Sequence, residues 1–201
     1  MNLVCLDLEG VLIPEIWINF AEKTGIEELK KTTRDEPDYD VLMKGRIKIL
    51  QENGFTLKDI QDVIDTMDPL EGAKDFLDAI RAFTQIIILS DTFVEFASPL
   101  MKKLGYPTLF CNSLVLDDKD VIIDYKLRKT NGKQFSVEGF KYAGCRVFSA
   151  GDSYNDLNMI INSDHGALFR APSQITIDYP HLKNVSTYDD LLEIIKDFHK
   201  A

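Results

Sequence analysis

The chain reads as an α/β protein: a parallel sheet covered by helices on both faces, with a small all-helical insert after the first strand. Two patterns predict this. Apolar runs of strand length near residues 3–6, 86–89 and 145–150 alternate with segments of helical period, and continuous apolar strands belong to sheets buried on both faces. Between residues 14 and 69 the apolar spacing is helical throughout, with no strand-like run.

Residues 3–6 form a short buried strand that breaks on Asp7 and Glu9. Ile16, Phe20 and Ala21 then fall at helical spacing, and Gly25 ends that run. Asp38 suits the cap of a second helix with apolar positions Val41, Leu42, Ile47, Ile49 and Leu50, stopped at Asn53-Gly54. Thr56 followed by Asp59 resembles a capping box and opens a third helix to about Met67. Past Pro69, a helix over 71–83 leads to the strand 86–89, and a helix over 93–104 closes at Gly105. A short strand is expected at 108–110. Residues 115–116 and 121–127 flank Asp117-Asp118-Lys119-Asp120 as an antiparallel hairpin. A helix near 133–142 precedes the strand 145–150. A helix over 154–162, an apolar stretch at 167–169 and a last helix over 188–199 complete the chain. Crossovers between parallel strands are expected to be right-handed.

A length of 201 residues suits one domain, or one domain with an insertion. The net charge of -10 argues against nucleic-acid partners, whose phosphates need a basic face, and fits an acidic, solvated surface. No window approaches the ~20 apolar residues of a membrane span, and no basic segment followed by a long apolar run opens the chain. No membrane contact and a cytoplasmic location are therefore expected. Cys5, Cys111 and Cys145 are odd in number and form no CxxC pair, which points to reduced thiols rather than disulfides or zinc. A homodimer is plausible on the frequency of two-fold assemblies.

Three expected strands end in small polar or acidic residues: Asp7-Leu8-Glu9-Gly10, Ser90-Asp91-Thr92 and Gly151-Asp152-Ser153-Tyr154-Asn155-Asp156. Each alone has an ordinary reading, as Ser-Asp-Thr also caps helices and Gly-Asp-Ser also makes turns. Together, at the carboxyl ends of parallel strands, they mark the place where open sheets bind ligands. Unpaired buried carboxylates are costly, so Asp7 and its neighbours need a cation, a substrate or both. Hard oxygen donors with few protein carboxylates suit Mg²⁺ sharing a substrate phosphate, and a carboxylate beside it can attack phosphorus. Ser90 is expected at a helix start, where hydroxyl and N–H groups meet phosphate. Lys133, ahead of the strand that delivers Asp152, is the candidate to complete the phosphate clamp; its alternative is a solvated surface lysine.

At these motifs the chain resembles the haloacid dehalogenase superfamily of aspartate-nucleophile phosphohydrolases, over its whole length. Within it, the similarity is to the phosphoserine phosphatases, and above all to the bifunctional phosphoserine phosphatase/homoserine phosphotransferases, through Asp-Leu-Glu-Gly-Val-Leu followed by Pro-Glu-Ile-Trp. The resemblance implies a Rossmann-like core over residues 1–13 and 70–201, with a helical cap domain over 14–69. It implies Asp7 as nucleophile, and Mg²⁺ held by Asp7, Asp152 and the Glu9 carbonyl. Asp156, on the same helical face as Asp152, would steady the metal's waters. Ser90 and Lys133 would hold the phosphoryl group, Asp91 would add backbone contacts, and Asn155 would touch substrate. On the cap, Glu15 and Arg46 would take the ammonium and carboxylate of phosphoserine; without the resemblance they read as a first-turn acid and a surface arginine. Most members carry Asp two residues after the nucleophile as general acid and base. This chain has Glu9, whose longer arm is expected to favour transfer to homoserine over plain hydrolysis.

Three other readings remain in view. The same chemistry would serve a sugar, nucleotide or methylthio-ketose phosphate. A signalling receiver domain also phosphorylates an aspartate, but it is shorter and has no helical insert after its first strand. A non-catalytic binding module would have no use for a set as complete as Asp7, Ser90, Lys133 and Asp152.

Overall fold

The computed structural model describes residues 1–33, 35, 36 and 38–201. Seven strands form one sheet in the order β4-β3-β2-β1-β5-β6-β7. They are β1 (Asn2–Leu6), β2 (Gln85–Phe93), β3 (Thr108–Leu116), β4 (Ile122–Lys126), β5 (Arg146–Gly151), β6 (His165–Phe169) and β7 (Lys183–Val185). All neighbours pair in parallel except β3 and β4, which form the expected antiparallel hairpin. The α/β architecture read from the alternating pattern is the one observed.

Strand β1 lies at the centre, and its alternating side chains serve two layers. Val4 and Leu6 join Ile86, Ile88, Phe148 and Phe169 on one face. There the helices α4 (Ala73–Arg81), α5 (Val94–Lys103) and α9 (Tyr188–Lys200) cover the sheet. Leu3 and Cys5 face the other layer, under α6 (Gly132–Tyr142), α7 (Leu157–Asn162) and α8 (Ser173–Asp178). All three cysteines are free, with Cys5 buried. Among the described residues, no helix is long and apolar enough to cross a membrane.

Between β1 and α4 lie α1 (Ile16–Thr24), one 3₁₀ turn (Glu27–Lys30), α2 (Tyr39–Glu52) and α3 (Leu57–Asp65). Their ends follow the sequence. Gly25 takes a left-handed φ of 74° to stop α1, Asp38 accepts the amides of Asp40 and Val41, and Thr56 with Asp59 forms the capping box of α3. These helices do not close a core of their own. Trp17, Phe20, Met43, Ile60 and Ile64 join the same apolar cluster as Phe96 and Leu100 of α5, with the Trp17 ring edge-on to Phe96. The hairpin braces them as well: Tyr125 Oη donates to Asp40 at 2.8 Å, Gln51 Nε2 to the Ile122 carbonyl at 3.0 Å, and the Leu57 amide to the Asp120 carbonyl at 2.9 Å.

Several boundaries differ from expectation. Helix α4 begins at Ala73, two residues late, because the Leu70 amide is drawn to the Leu12 carbonyl at 2.9 Å and Gly72 adopts a φ of 82°. Residues 108–116 form one strand rather than two pieces. Residues 154–156 form a 3₁₀ turn, and α7 starts only at Leu157. Strand β7 and helix α8 carry no strong periodic signal and were not anticipated. The largest difference is in β2. It runs on through Ser90-Asp91-Thr92 to Phe93, which pairs with Asn112, while Leu89 pairs with Phe110. Three residues of β2 thus stand opposite Cys111 alone. This bulge turns the Ser90–Thr92 segment out of the ladder, as bulges beside active sites commonly do.

Candidate active site

Strands β2, β1 and β5 are neighbours, so their three polar ends meet at one sheet edge. Asp7 follows β1 directly, with its amide on the Ala150 carbonyl of β5 at 3.0 Å. Gly10 then turns the chain at a φ of 76°, and a Cβ there would come within 2.5 Å of Asp152 Oδ2. Gly151 is equally constrained, since its Cβ would lie 2.3 Å from the Asp156 carboxyl carbon. Both glycines let carboxylates crowd where side chains would not fit.

Lys133 reaches this cluster from the first turn of α6. Its Nζ lies 2.8 Å from Asp7 Oδ1, 2.7 Å from Asp156 Oδ1 and 3.5 Å from Asp91 Oδ2, and it is only 6 % exposed. The solvated alternative for Lys133 is excluded by this burial. Asp156 is fully buried, and its Oδ2 accepts the amides of Asp152 and Ser153, each at 3.1 Å. It sits at the end of the 3₁₀ turn rather than on an α-helical face shared with Asp152, because Ser153 caps that turn and draws the carboxylate back. Asp156 thereby shapes the loop and holds the lysine.

Ser90 is not at a helix start. It lies in the β2 bulge, four residues before α5, and its Oγ accepts the Thr92 amide at 3.2 Å. Asn155 Nδ2 donates to Asp91 Oδ2 at 3.1 Å, tying the β2 end to the loop after β5.

Asp7, Asp152 and Asp156 offer three carboxylate oxygens within 4.8 Å of one another. Burial raises the Asp7 carboxyl well above its ordinary range, and Asp156 and Asp152 add to this against the pull of Lys133. Asp152 is pushed up to about 7 by burial and then by Asp156. Burial disfavours the Lys133 ammonium, but Asp156, Asp7 and Asp91 outweigh it and keep its pKa high. One lysine thus answers three crowded acids. Hard oxygens with surplus negative charge fit a divalent cation. A pH consequence follows. With Asp152 at about 7 when folded and near 3.8 unfolded, its contribution is stabilising at acid pH and is lost as pH rises through 7. In metal-free buffer the protein is expected to melt about 3 °C or more lower at pH 8 than at pH 5.5, with a millimolar divalent cation abolishing the difference; calorimetry in both buffers checks this.

Glu9 faces the same cavity. Its Oε2 accepts the Ile16 amide, the first of α1, at 2.8 Å. Helix α1 has no side-chain cap of its own, so the extra methylene of Glu9 lets a sheet-end carboxylate cap an inserted helix. Burial raises Glu9 to about 8, helped by the charge of Glu15 and a hydrogen bond to it, while the Ile16 amide and Thr92 oppose the rise.

Arg46 is buried rather than on the surface. Its guanidinium stacks 4.6 Å from the Trp17 ring centre, and Nη2 donates to the Lys31 carbonyl at 2.6 Å. Among the described residues its Nε has no hydrogen-bond partner, and no carboxylate forms an ion pair with it. Burial lowers its pKa to about 10, against the raising influence of Glu9, Tyr39 and Glu15. An unpaired buried guanidinium is costly unless an anion arrives.

Asp7, Glu9, Glu15, Arg46, Ser90, Asp91, Lys133, Asp152 and Asn155 all line one cavity of about 450 Å³. Of the residues singled out from sequence, only Asp156 stands behind the wall. Trp17, Tyr39 and Thr92 also line it. Thr92 and Trp17 stood inside motifs read from the sequence without being named as site residues, and Tyr39 was missed, since it looks like part of the apolar face of its helix until the fold turns that face toward the sheet.

A family model described as haloacid dehalogenase-like hydrolase matches residues 1–164. The chain is 56% identical, over its full length and 97% of the relative, to the phosphoserine phosphatase ThrH of Pseudomonas aeruginosa. It is 53% identical, again over its full length and 84% of the relative, to a phosphoserine phosphatase of Pseudomonas syringae pv. tomato. A solved substrate-bound phosphoserine phosphatase complex superposes with a TM-score of 0.78 at 21% identity, covering 97% of each chain. A phospho-aspartyl intermediate analogue of a phosphoserine phosphatase gives 0.79 at 18% identity, covering 96% of this chain and 98% of that one. At such identities the two structures speak for the fold.

Proposed function

The chain belongs to the haloacid dehalogenase-like hydrolases, and from that premise we propose that it is a Mg²⁺-dependent phosphomonoesterase acting on phosphoserine, able also to pass the phosphoryl group to homoserine. The observation that carries the substrate is Arg46, a buried guanidinium with an orphaned Nε in the same cavity as Asp7 and Lys133. A carboxylate is the anion that a planar guanidinium grips best. Glu15, exposed on the same wall, complements an ammonium. The full-length relatives named phosphoserine phosphatases support the choice.

In this reading residues 14–69 act as a cap that supplies selectivity. The carboxylates of Asp7 and Asp152 and the backbone carbonyl of Glu9 would hold the cation, whose charge offsets that on the phosphoryl oxygens. An oxygen of Asp7 attacks phosphorus as the serine oxygen leaves, giving an aspartyl-phosphate. Lys133, already bonded to Asp7 Oδ1, and the Ser90 hydroxyl face the phosphoryl oxygens. Glu9, raised to about 8 by burial, is protonated near neutrality and gives its proton to the leaving oxygen. The resulting carboxylate then takes a proton from water or from an alcohol, which attacks phosphorus and releases Asp7. An alcohol acceptor with homoserine's ammonium and carboxylate would reuse the Glu15 and Arg46 contacts.

Product analysis with phosphoserine and Mg²⁺, with and without homoserine, tests the proposal. Free phosphate alone would support hydrolysis and reject transfer; a panel won by a sugar or nucleotide phosphate would reject the substrate. The Arg46→Ala variant is expected to lose about a hundredfold in kcat/KM for phosphoserine, in keeping with the loss of a buried charge-assisted bond. For a phosphate ester without a carboxylate the loss should be a few-fold only. Equal losses on both would remove Arg46 from carboxylate recognition.

A further inference from the structure

We infer that Tyr39 and Asn112 are positioning residues that aim the Ser90 hydroxyl at the phosphoryl group by holding one peptide unit, that between Asp91 and Thr92. The inference rests on the proposed phosphoryl contact of Ser90. The Asp91 carbonyl accepts two hydrogen bonds, from Tyr39 Oη at 3.2 Å and from Asn112 Nδ2 at 3.0 Å. The N–H of the same planar unit is that of Thr92, and it donates to Ser90 Oγ at 3.2 Å. In a trans peptide the C=O and N–H point in opposite directions. Fixing the carbonyl therefore fixes the line along which the N–H meets Ser90. With one lone pair of Oγ taken, the hydroxyl hydrogen has no acceptor among the described residues and is free to turn to the cavity.

The need for such a device lies in the bulge. Ser90, Asp91 and Thr92 have left the regular ladder with β3, so sheet pairing no longer sets their peptide planes. Each of the two donors is itself held. Asn112, 7 % exposed on β3, accepts the Arg128 amide on its Oδ1 at 3.0 Å, which orients its amide and leaves Nδ2 for Asp91. Tyr39 opens α2, and its ring stands edge-on to Tyr125 at 5.7 Å; Tyr125 in turn bonds Asp40. The β3–β4 hairpin thus reaches the phosphoryl site through the inserted helices, and β3 reaches it from below.

The test is a pair of double-mutant cycles with Tyr39→Phe and Asn112→Leu, each made in the wild-type and Ser90→Ala backgrounds. Asn112→Leu removes the donor to Asp91 and adds no charge at a position only 7 % exposed. Two readouts are measured: kcat and KM for phosphoserine, and the dissociation constant of orthovanadate, which probes the phosphoryl site whatever the natural ester. In the wild-type background each substitution is expected to lower kcat and weaken orthovanadate by about five- to tenfold, the scale of one hydrogen bond. In the Ser90→Ala background the same substitutions should change either quantity less than about twofold, because the group they aim is gone. Equal losses in both backgrounds, or no loss in the first, would overturn the inference. If phosphoserine proves not to be a substrate while the orthovanadate cycle still closes, the positioning role stands and the substrate reading falls. Melting temperatures identify a variant that fails to fold, and the other variant then decides.

Discussion

Replacing Asp7 by Asn is expected to reduce turnover by at least about 10⁴-fold and to abolish the covalent intermediate, since an amide is no nucleophile toward phosphorus. The substitution changes one atom in a cluster of like charges, so the fold should gain from it. Asp7 is pushed up by burial and by Asp156 and Asp152, and a neutral Asn ends that repulsion. A higher melting temperature with no acid-stable or hydroxylamine-sensitive phosphoprotein is the expected pair of results. Glu9→Gln supplies the contrast. Its amide oxygen can still accept the Ile16 amide, so α1 keeps its cap, while the loss of proton transfer slows both formation and breakdown by about 10²–10⁴-fold. A trapped phosphoprotein should therefore still form slowly in Glu9→Gln and never in Asp7→Asn. Labelled phosphate retained by Asp7→Asn would dismiss Asp7 as the nucleophile.

Lys133→Met carries the second large effect, and it falls on both stability and activity. The lysine is 6 % exposed and lies within 2.8 Å of carboxylates of both Asp7 and Asp156. Removing it leaves two buried acids without their cation, which costs about 3–5 kcal/mol. In a chain of this length that is a fall of roughly 10 °C in melting temperature. The loss should be smaller at pH 5 than at pH 8, because protonation removes the uncompensated charge. Turnover should drop more than a thousandfold at any Mg²⁺ concentration, since charge on the phosphoryl oxygens loses a fixed donor. A melting temperature unchanged at pH 8 would mean that the acids find another partner.

How much of this was legible in the chain can be seen residue by residue. The apolar runs of β1, β2 and β5 and the acids at their ends are local features, and one-dimensional patterning suffices to find them. The same holds for the caps at Gly25, Asp38 and Thr56, where a side chain or a glycine acts within a few residues. Ser90 was placed in the site but in the wrong local structure, because the bulge that carries it arises from pairing with β3, more than fifteen residues away. Asp156 was singled out through the family resemblance, and the capping box with Ser153 decided which way its carboxylate turned.

By itself, then, the sequence determined the parallel α/β class, the helical insert, and the polar and acidic residues that follow the apolar runs at Asp7, Ser90 and Asp152. Each of these follows from hydrophobic period, turn chemistry or strand ends, which are properties of short segments; that the three ends converge follows from the strand order, with β1 between β2 and β5, and that Lys133 joins them follows from its burial among their carboxylates. Only the tertiary structure decided that Arg46 is buried with no carboxylate paired to it among the described residues, that Glu9 caps α1, and that Tyr39 and Asn112 both donate to the Asp91 carbonyl. Those facts depend on contacts between residues up to 52 positions apart. The free energy of a buried charge or hydrogen bond is set by what surrounds it, and packing alone supplies the surroundings.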